Sequence, residues 1–241
     1  MPTLPCDCLS FNKAKPDGRL PTLHQEQQDT QCDAWKRLLD AIEVAAHNQA
    51  ESFVLWKVLG RDEYKQVITL PATVAKLTSV KTLNLYHSNL VRLPPEIGKM
   101  SALERFEPYT SYKLHWFPFE ITQCRNLTQS VVSTRATFGN HKHRPPFPDL
   151  NHPENSAALA QATPSQCSIC QGPLDVGRVH RRWISLWVAT DVLPLLVNAC
   201  SAECLEQLPQ TPDEYFDGPH TGGHHIKQPP PMRQRPKRPG T

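Results

Sequence analysis

Glycine is scarce in this chain, with 10 residues against 24 prolines in 241, and no glycine-rich phosphate cradle is present. Gly-x-Gly-x-x-Gly, Gly-x-Ser-x-Gly and His-Glu-x-x-His are all missing, which removes the common nucleotide-binding, hydrolase and zinc-protease readings. Long apolar runs are also missing. The most apolar segment, Trp183 to Ala199, contains Asp191 and Pro194 and is too short to span a bilayer. The opening residues show no basic stretch followed by an apolar one, so a secretory signal is not expected and a cytoplasmic home is. In that compartment eight cysteines do not read as a disulfide framework, and metal becomes the alternative. Charge is low overall, at +3. Residues 227–241 contain no acid but carry Lys227, Arg233, Arg235, Lys237 and Arg238, which leaves residues 1–226 at −2.

What the chain does have is a repeat. Val67-Ile-Thr-Leu-Pro71 returns as Leu90-Val-Arg-Leu-Pro94 and again as Leu114-His-Trp-Phe-Pro118. After each proline an apolar ladder follows: Val74, Ile97 and Ile121, then Leu77, Met100 and Cys124, then Val80, Leu103 and Leu127. A period of 23 to 24 residues predicts a solenoid, whose units bury their apolar edges only by stacking. The short strands are expected at Lys81–Tyr86, Glu104–Glu107 and Thr128–Ser133, paired in parallel. Ser130 stands where Leu83 and Phe106 stand, so the third unit is imperfect and reads as a C-terminal cap. Cys124 falls on the ladder and is expected in the core rather than as a nucleophile.

Upstream, Trp35, Leu38, Leu39, Ile42, Ala45 and Ala46 recur at helical spacing, which predicts a helix from Gln31 to about His47. Thr30 and Asp33 form the expected capping box. The predicted organisation is an extended N-terminus (1–28), a helical cap (29–65), the repeat block (66–140), a linker (141–165), a compact module (166–208) and a disordered basic Pro-rich tail (209–241). The tail histidines 220, 224 and 225 are read as part of that disorder.

The sharpest chemical signal is two cysteine pairs, Cys167-Ser-Ile-Cys170 and Cys200-Ser-Ala-Glu-Cys204. Cysteines two or three residues apart aim both sulfurs at one ion, and two such pairs complete the four-thiolate shell that Zn²⁺ favours. Four thiolates leave no open position, so the expected role is structural. A redox Cys-x-x-Cys would need only one pair, at a helix start in a βαβ context that is not found. Two apolar strands around a Pro194 turn, Val179–Ala189 and Leu195–Ala199, are expected between the pairs, then a short helix from Ala202 to Leu208 whose N-terminus favours ionised thiolates. Cys6, Cys8 and Cys32, with His24, form a weaker second candidate of irregular spacing.

On a curved parallel sheet the variable positions face the concave side. These are Lys81, Thr82, Asn84, Tyr86, His87, Glu104, Arg105, Glu107 and Tyr109, with Gln129 and Arg135 beside them. Tyrosine and arginine among mixed charges are the residue types enriched in binding hot spots. Tyr109, Tyr112, His115 and Trp116 form an aromatic cluster in the longer, 24-residue unit.

Val80-x-x-Leu83-x-Leu85 followed by Leu90-x-x-Leu93-Pro94-x-x-Ile97 resembles the Pro-containing, 23-residue leucine-rich repeat. The cysteine module resembles a treble-clef zinc fold, and Ala199-Cys-Ser-Ala-Glu-Cys204 resembles its FCS finger subtype. Leu85–Gly98, Ser133–Asn140, Arg144–Pro148 and Ala189–Cys200 together are similar to a group of uncharacterised bacterial leucine-rich repeat proteins. The resemblance spans about Gln66 to Leu208 and implies an α/β architecture, with a short helix-capped repeat block beside a small α+β zinc module. It supplies no activity. The expected function is non-enzymatic recognition of a protein partner through the concave face, and no membrane association. The alternative is a nucleic-acid-associated factor that uses the zinc module and basic tail.

Overall fold

The N-terminal segment expected to be extended has no regular element over residues 20–29, but it is anchored to the fold. In this computed structural model, which describes residues 20–234 and 236, Leu23 is buried and its N–H donates to Asn155 Oδ1 at 2.8 Å. The N–H of Ile68 donates to the Gln28 side chain, and buried Arg92 donates to the Glu26 carbonyl. Helix α1 (Asp33–His47) follows and buries Ala34, Leu38 and Ile42. The expected Thr30–Asp33 capping box does not form. Cys32 takes the N-cap position without a side-chain bond, and Asp29 Oδ1 instead accepts the Gln31 N–H at 2.8 Å.

The segment expected to be a helical cap also supplies a strand. β1 (Ser52–Val54) is followed by single-turn helices α2 (Leu55–Val58) and α3 (Arg61–Tyr64). β2 (Thr82–Asn84), β3 (Arg105–Glu107) and β5 (Gln129–Ser130) continue a parallel sheet in the order β1-β2-β3-β5. Thr82 pairs with Arg105 and Arg105 with Gln129, so the steps from β2 to β3 and from β3 to β5 each equal one sequence period. The strands are shorter than the sequence suggested, although backbone bonds between units continue past them: the Leu85 N–H donates to the Glu107 carbonyl at 3.0 Å and the His87 N–H to the Tyr109 carbonyl at 2.8 Å.

Proline explains how the chain returns between strands. Pro71, Pro94 and Pro118 adopt φ −72°, −73° and −67°, which the ring enforces, and each opens a 3₁₀ turn. Those turns, Ala72–Lys76, Pro95–Lys99 and Phe119–Gln123, stack on one another. Between turns and strands lie Leu77, Leu83, Leu85, Ile97, Met100, Leu103 and Phe106, all at most 1% exposed. Each such side chain contributes about 1.5–3 kcal/mol relative to exposure. Cys124 occupies the ladder as expected, and its thiol donates to the Ile97 carbonyl at 3.3 Å.

A second sheet is built from β4 (Phe117–Pro118), β6 (His180–Val188) and β7 (Asp191–Ala199), in the order β4-β7-β6. The β6–β7 hairpin turns at Ala189-Thr190, with Ala189 at φ 51°, so the turn expected at Pro194 is a correction. Pro194 sits inside β7 opposite Ser185. Trp183 directs its backbone bonds away from β7, towards His220, and so by the two-residue period does Ser185. The missing proline N–H therefore removes no bond to β6.

β4 belongs to the third repeat unit yet pairs with β7, Phe117 opposite Leu195. One buried cluster accordingly runs from Ala34 through Leu83 and Phe106 to Ile184, Val197 and Cys204. Residues 166–208 are not tethered at a distance. The expected linker is folded too: Phe147 and Leu150 are buried, helix α4 (Ser156–Gln161) forms, and Trp183 Nε1 donates to the Pro148 carbonyl at 3.0 Å.

The tail expected to be disordered packs through residue 234. Trp183 and His220 exchange backbone bonds of 2.7 and 3.0 Å, which covers part of the β6 edge. The Leu150 N–H donates to the Thr221 carbonyl at 2.9 Å, and Gly222, at φ 76°, lies so close that a Cβ would sit 2.0 Å from the Pro148 oxygen. Buried Arg144 donates to the Glu214 carbonyl at 2.6 Å and stacks 4.8 Å from the Tyr215 ring. Long-range aromatic and backbone contacts replace the apolar periodicity whose absence suggested disorder. Arg235 and residues 237–241 of the basic tail lie outside the described residues.

Candidate functional site

The first cysteine pair lies on a knuckle. The Cys167 N–H donates to the Gly172 carbonyl at 2.8 Å, and the Gln171 N–H donates back to the Cys167 carbonyl at 3.1 Å, with Gln171 at φ 60°. Ser168 fixes the knuckle to β7, because its N–H donates to the Asn198 carbonyl and its Oγ accepts the Asn198 N–H at 3.0 Å. The strand then delivers Cys200. Ser201 Oγ accepts the Cys204 N–H at 3.3 Å and starts helix α5 (Ala202–Leu205), shorter than expected and a single turn. With so few peptide units, local N–H donors rather than a macrodipole set the thiol environment.

The four ligand atoms of Cys167, Cys170, Cys200 and Cys204 all lie within 4.8 Å of one another. Cys200 Sγ is 3.6 Å from both Cys170 Sγ and Cys204 Sγ. Cys167 and Cys204 are buried, Cys200 is half-buried and Cys170 is exposed. Burial raises the Cys167 thiol, but N–H donors from Cys170, Ile169 and Cys200 outweigh it and bring it to about 7. Cys200 is pushed up to about 12 by hydrogen bonds with the other thiols. Thiolates this close repel one another unless a cation lies between them, and these four sulfurs are close enough together that they could hold a metal ion. Cys6 and Cys8 of the second candidate lie outside the described residues; Cys32 donates its thiol to the Asp29 carbonyl at 3.1 Å.

Glu120, which the sequence did not single out, is buried against the knuckle. Its Oε1 accepts the Ser168 hydroxyl at 2.7 Å, while Oε2 has no hydrogen-bond partner among the described residues. Burial pushes this carboxyl up to about 7, against the lowering effect of the Ser168 bond. At the far edge of the parallel sheet, Ser130 occupies an apolar slot because the hairpin tip satisfies it. Its Oγ donates to Asp191 Oδ2 at 2.7 Å, and the Thr190 hydroxyl donates to its carbonyl at 2.9 Å.

The strand-face positions divide into two rows. Lys81, Thr82, Asn84 and Glu107 are half-buried, whereas Glu104 and Arg105 are exposed. Part of their charge is paired: Lys81 Nζ lies 2.6 Å from Glu51, Arg105 Nε 2.5 Å from Glu107, and Asn84 Nδ2 donates to Glu107 at 2.6 Å, while Glu104 enters no ion pair among the described residues. At the strand ends Tyr86 and Tyr109 are 46% and 49% exposed and stack 6.2 Å apart, with exposed His87 beside Tyr86. Gln129 and Arg135 are exposed as well. The aromatic cluster of the longer unit separates, with Tyr112 in solvent and His115 and Trp116 buried. Trp56 was missed. It follows Ser52 by the same four residues that separate Thr82 from Tyr86 and Arg105 from Tyr109, and it is 50% exposed. The signal was hidden because β1 and β2 are offset by 30 residues rather than 23. Among the described residues no helix is long and apolar enough to cross a membrane.

No protein-family model matches the chain, and no curated protein matches it either.

Proposed function

We propose that this chain is a non-enzymatic adaptor of the leucine-rich repeat type that recognises a protein partner through the strand face, with a structural Zn²⁺ site holding its C-terminal module. The observation that supports the face most is the exposure of stacked Tyr86 and Tyr109 above a row of polar strand residues. Buried tyrosines need no partner; half-exposed, rigid ones carry large contact area at small entropic cost. The register of one sequence period per strand supports the repeat reading.

The metal reading rests on the donor set. Zn–S bonds of about 2.3 Å place the sulfurs of a tetrahedron about 3.8 Å apart, close to the 3.6 Å separations here. Cys167, Cys170, Cys200 and Cys204 would hold the ion, and the chemistry it supplies is charge neutralisation and a cross-link between knuckle, β7 and α5. The knuckle, hairpin and short helix support the treble-clef comparison. Metal analysis of the purified protein tests this: one zinc per chain is expected, and a metal-free chain with an unchanged melting temperature would overturn it.

The face is tested by affinity purification from nuclease-treated lysate with the wild type and with Tyr86→Ala and Arg105→Ala. A protein lost from both variants supports the reading. Partners that depend on nucleic acid and on residues 227–241 would move the function to the zinc module and tail.

A further inference from the structure

Glu120 belongs to the third 3₁₀ turn of the repeat block, yet its side chain ends on the cysteine knuckle. It is 6% exposed, and its Oε1 accepts the hydroxyl of Ser168, itself 2% exposed, at 2.7 Å. Its Oε2 finds no hydrogen-bond partner among the described residues. A carboxyl buried with one oxygen bare weakens a fold, and a leucine of similar volume would fill the place without that penalty. Packing alone therefore gives no reason for this residue.

What the carboxyl does is fix one proton. The Ser168 hydroxyl has a single hydrogen and two lone pairs. With the hydrogen aimed at Glu120, a lone pair faces the Asn198 N–H, which donates to Ser168 Oγ at 3.0 Å. The Ser168 N–H donates back to the Asn198 carbonyl at 2.9 Å, so this pair clasps the knuckle to β7. Each member of the clasp lies within two residues of a donor to the same sulfur: the Ile169 N–H and the Cys200 N–H both reach Cys167 Sγ at 3.4 Å. The clasp thereby sets where those N–H groups point, and how far Cys167 on the knuckle lies from Cys200 at the end of β7. Outer partners of this kind hold metal ligands in place without touching the ion.

We propose that Glu120 is a positioning residue of the cysteine metal centre, contributed by the repeat block and acting through Ser168 on the separation of the two cysteine pairs. This rests on the metal reading of that centre and adds a residue that the ligand set does not contain. The repeats and the ion are then coupled: displacing the third turn weakens the hold on the metal, and metal binding steadies that turn by the same free energy.

The test follows release of Zn²⁺ from the full zinc-loaded chain to the coloured chelator pyridylazoresorcinol. Glu120→Leu and Ser168→Ala should each lower zinc affinity about 10–100-fold. Glu120→Gln, whose amide oxygen still accepts the hydroxyl, should stay near wild type. Ile121→Val removes a methylene from a fully buried neighbour in the same turn, so it controls for general weakening of the packing and should match wild type. Co²⁺ loaded in place of zinc reports ligand geometry by its visible absorption, which should change in Glu120→Leu and not in Ile121→Val. If Glu120→Leu does not fold, the comparison of Ser168→Ala with Glu120→Gln decides. Zinc held equally by wild type and Ser168→Ala or Glu120→Leu, an equal loss in Ile121→Val, or a loss in Glu120→Gln as large as in Ser168→Ala would overturn the inference. A wild-type chain that binds no zinc would sink the metal reading itself, and this proposal with it.

Discussion

Replacing Gly98 by alanine tests how closely the repeat units stack. Gly98 lies in the second 3₁₀ turn, and a Cβ there would meet the Glu120 carbonyl of the next turn at 2.5 Å and Gln123 Oε1 at 2.9 Å. An ordinary contact of 3.4 Å needs about 0.9 Å of separation between two backbones, which a flexible side chain cannot absorb. Overpacking of this kind costs about 1–3 kcal/mol, and the lower chain entropy of alanine in the unfolded state offsets up to about 1 kcal/mol. A net loss of about 1–2 kcal/mol lowers Tm by roughly 2–8 °C in a chain of this size. Gly177→Ala is the control, because its Cβ would meet only the Asp175 carboxylate at 3.4 Å, so Tm should stay or rise slightly. Thermal unfolding followed by circular dichroism reads both. Equal melting of Gly98→Ala and wild type would refute the close stacking of these turns.

Other expectations follow from the same packing. Leu83→Ala empties a fully buried position between β1 and β3 and should cost about 2–5 kcal/mol in denaturant unfolding. Glu120 is raised from 4.5 to about 7 in the fold, so it stabilises the native state only while protonated, and that contribution is lost as pH rises from about 4.5 through 7. Glu120→Gln should therefore gain up to about 3 kcal/mol relative to wild type at pH 8 and nothing at pH 4, as compared by urea titration at both pH values. His115 and His220 are lowered by burial to about 4, so both favour the fold above the unfolded value of 6.5 and lose that stability between 6.5 and 4. The Glu120→Gln variant should show this acid limb without the opposing carboxyl. Arg144→Ala removes the clamp on Glu214 and Tyr215, and hydrogen exchange at residues 215–223 should accelerate about tenfold while β2 and β3 stay protected.

Much of the strand arrangement was legible because the repeat states its own register: Leu83 and Phe106 are one period apart and pair side by side. The proline before each ladder marked each turn, and the two cysteine pairs converge as their spacing suggests. What escaped the sequence depends on contacts distant in the chain. β1 was hidden by its irregular 30-residue offset, and with it Trp56. The pairing of Phe117 with Leu195 joins segments that share no pattern. Residues 209–234 lack apolar periodicity because they fold by laying backbone against Trp183, Leu150 and Phe147. Pro194 read as a turn, yet it occupies a strand position where no N–H is needed. Glu120 carried no signal at all; only its burial against Ser168 marks it.

The recognition role of the strand face is tested most directly by site-specific photocrosslinking. p-Benzoylphenylalanine placed at Tyr109, and separately at exposed Val44 on α1, samples the face and a surface outside it in the same full-length chain. The account predicts a discrete protein adduct from position 109 and none from position 44. Identical adducts from both positions, or none from 109 while an adduct forms at 44, would contradict it.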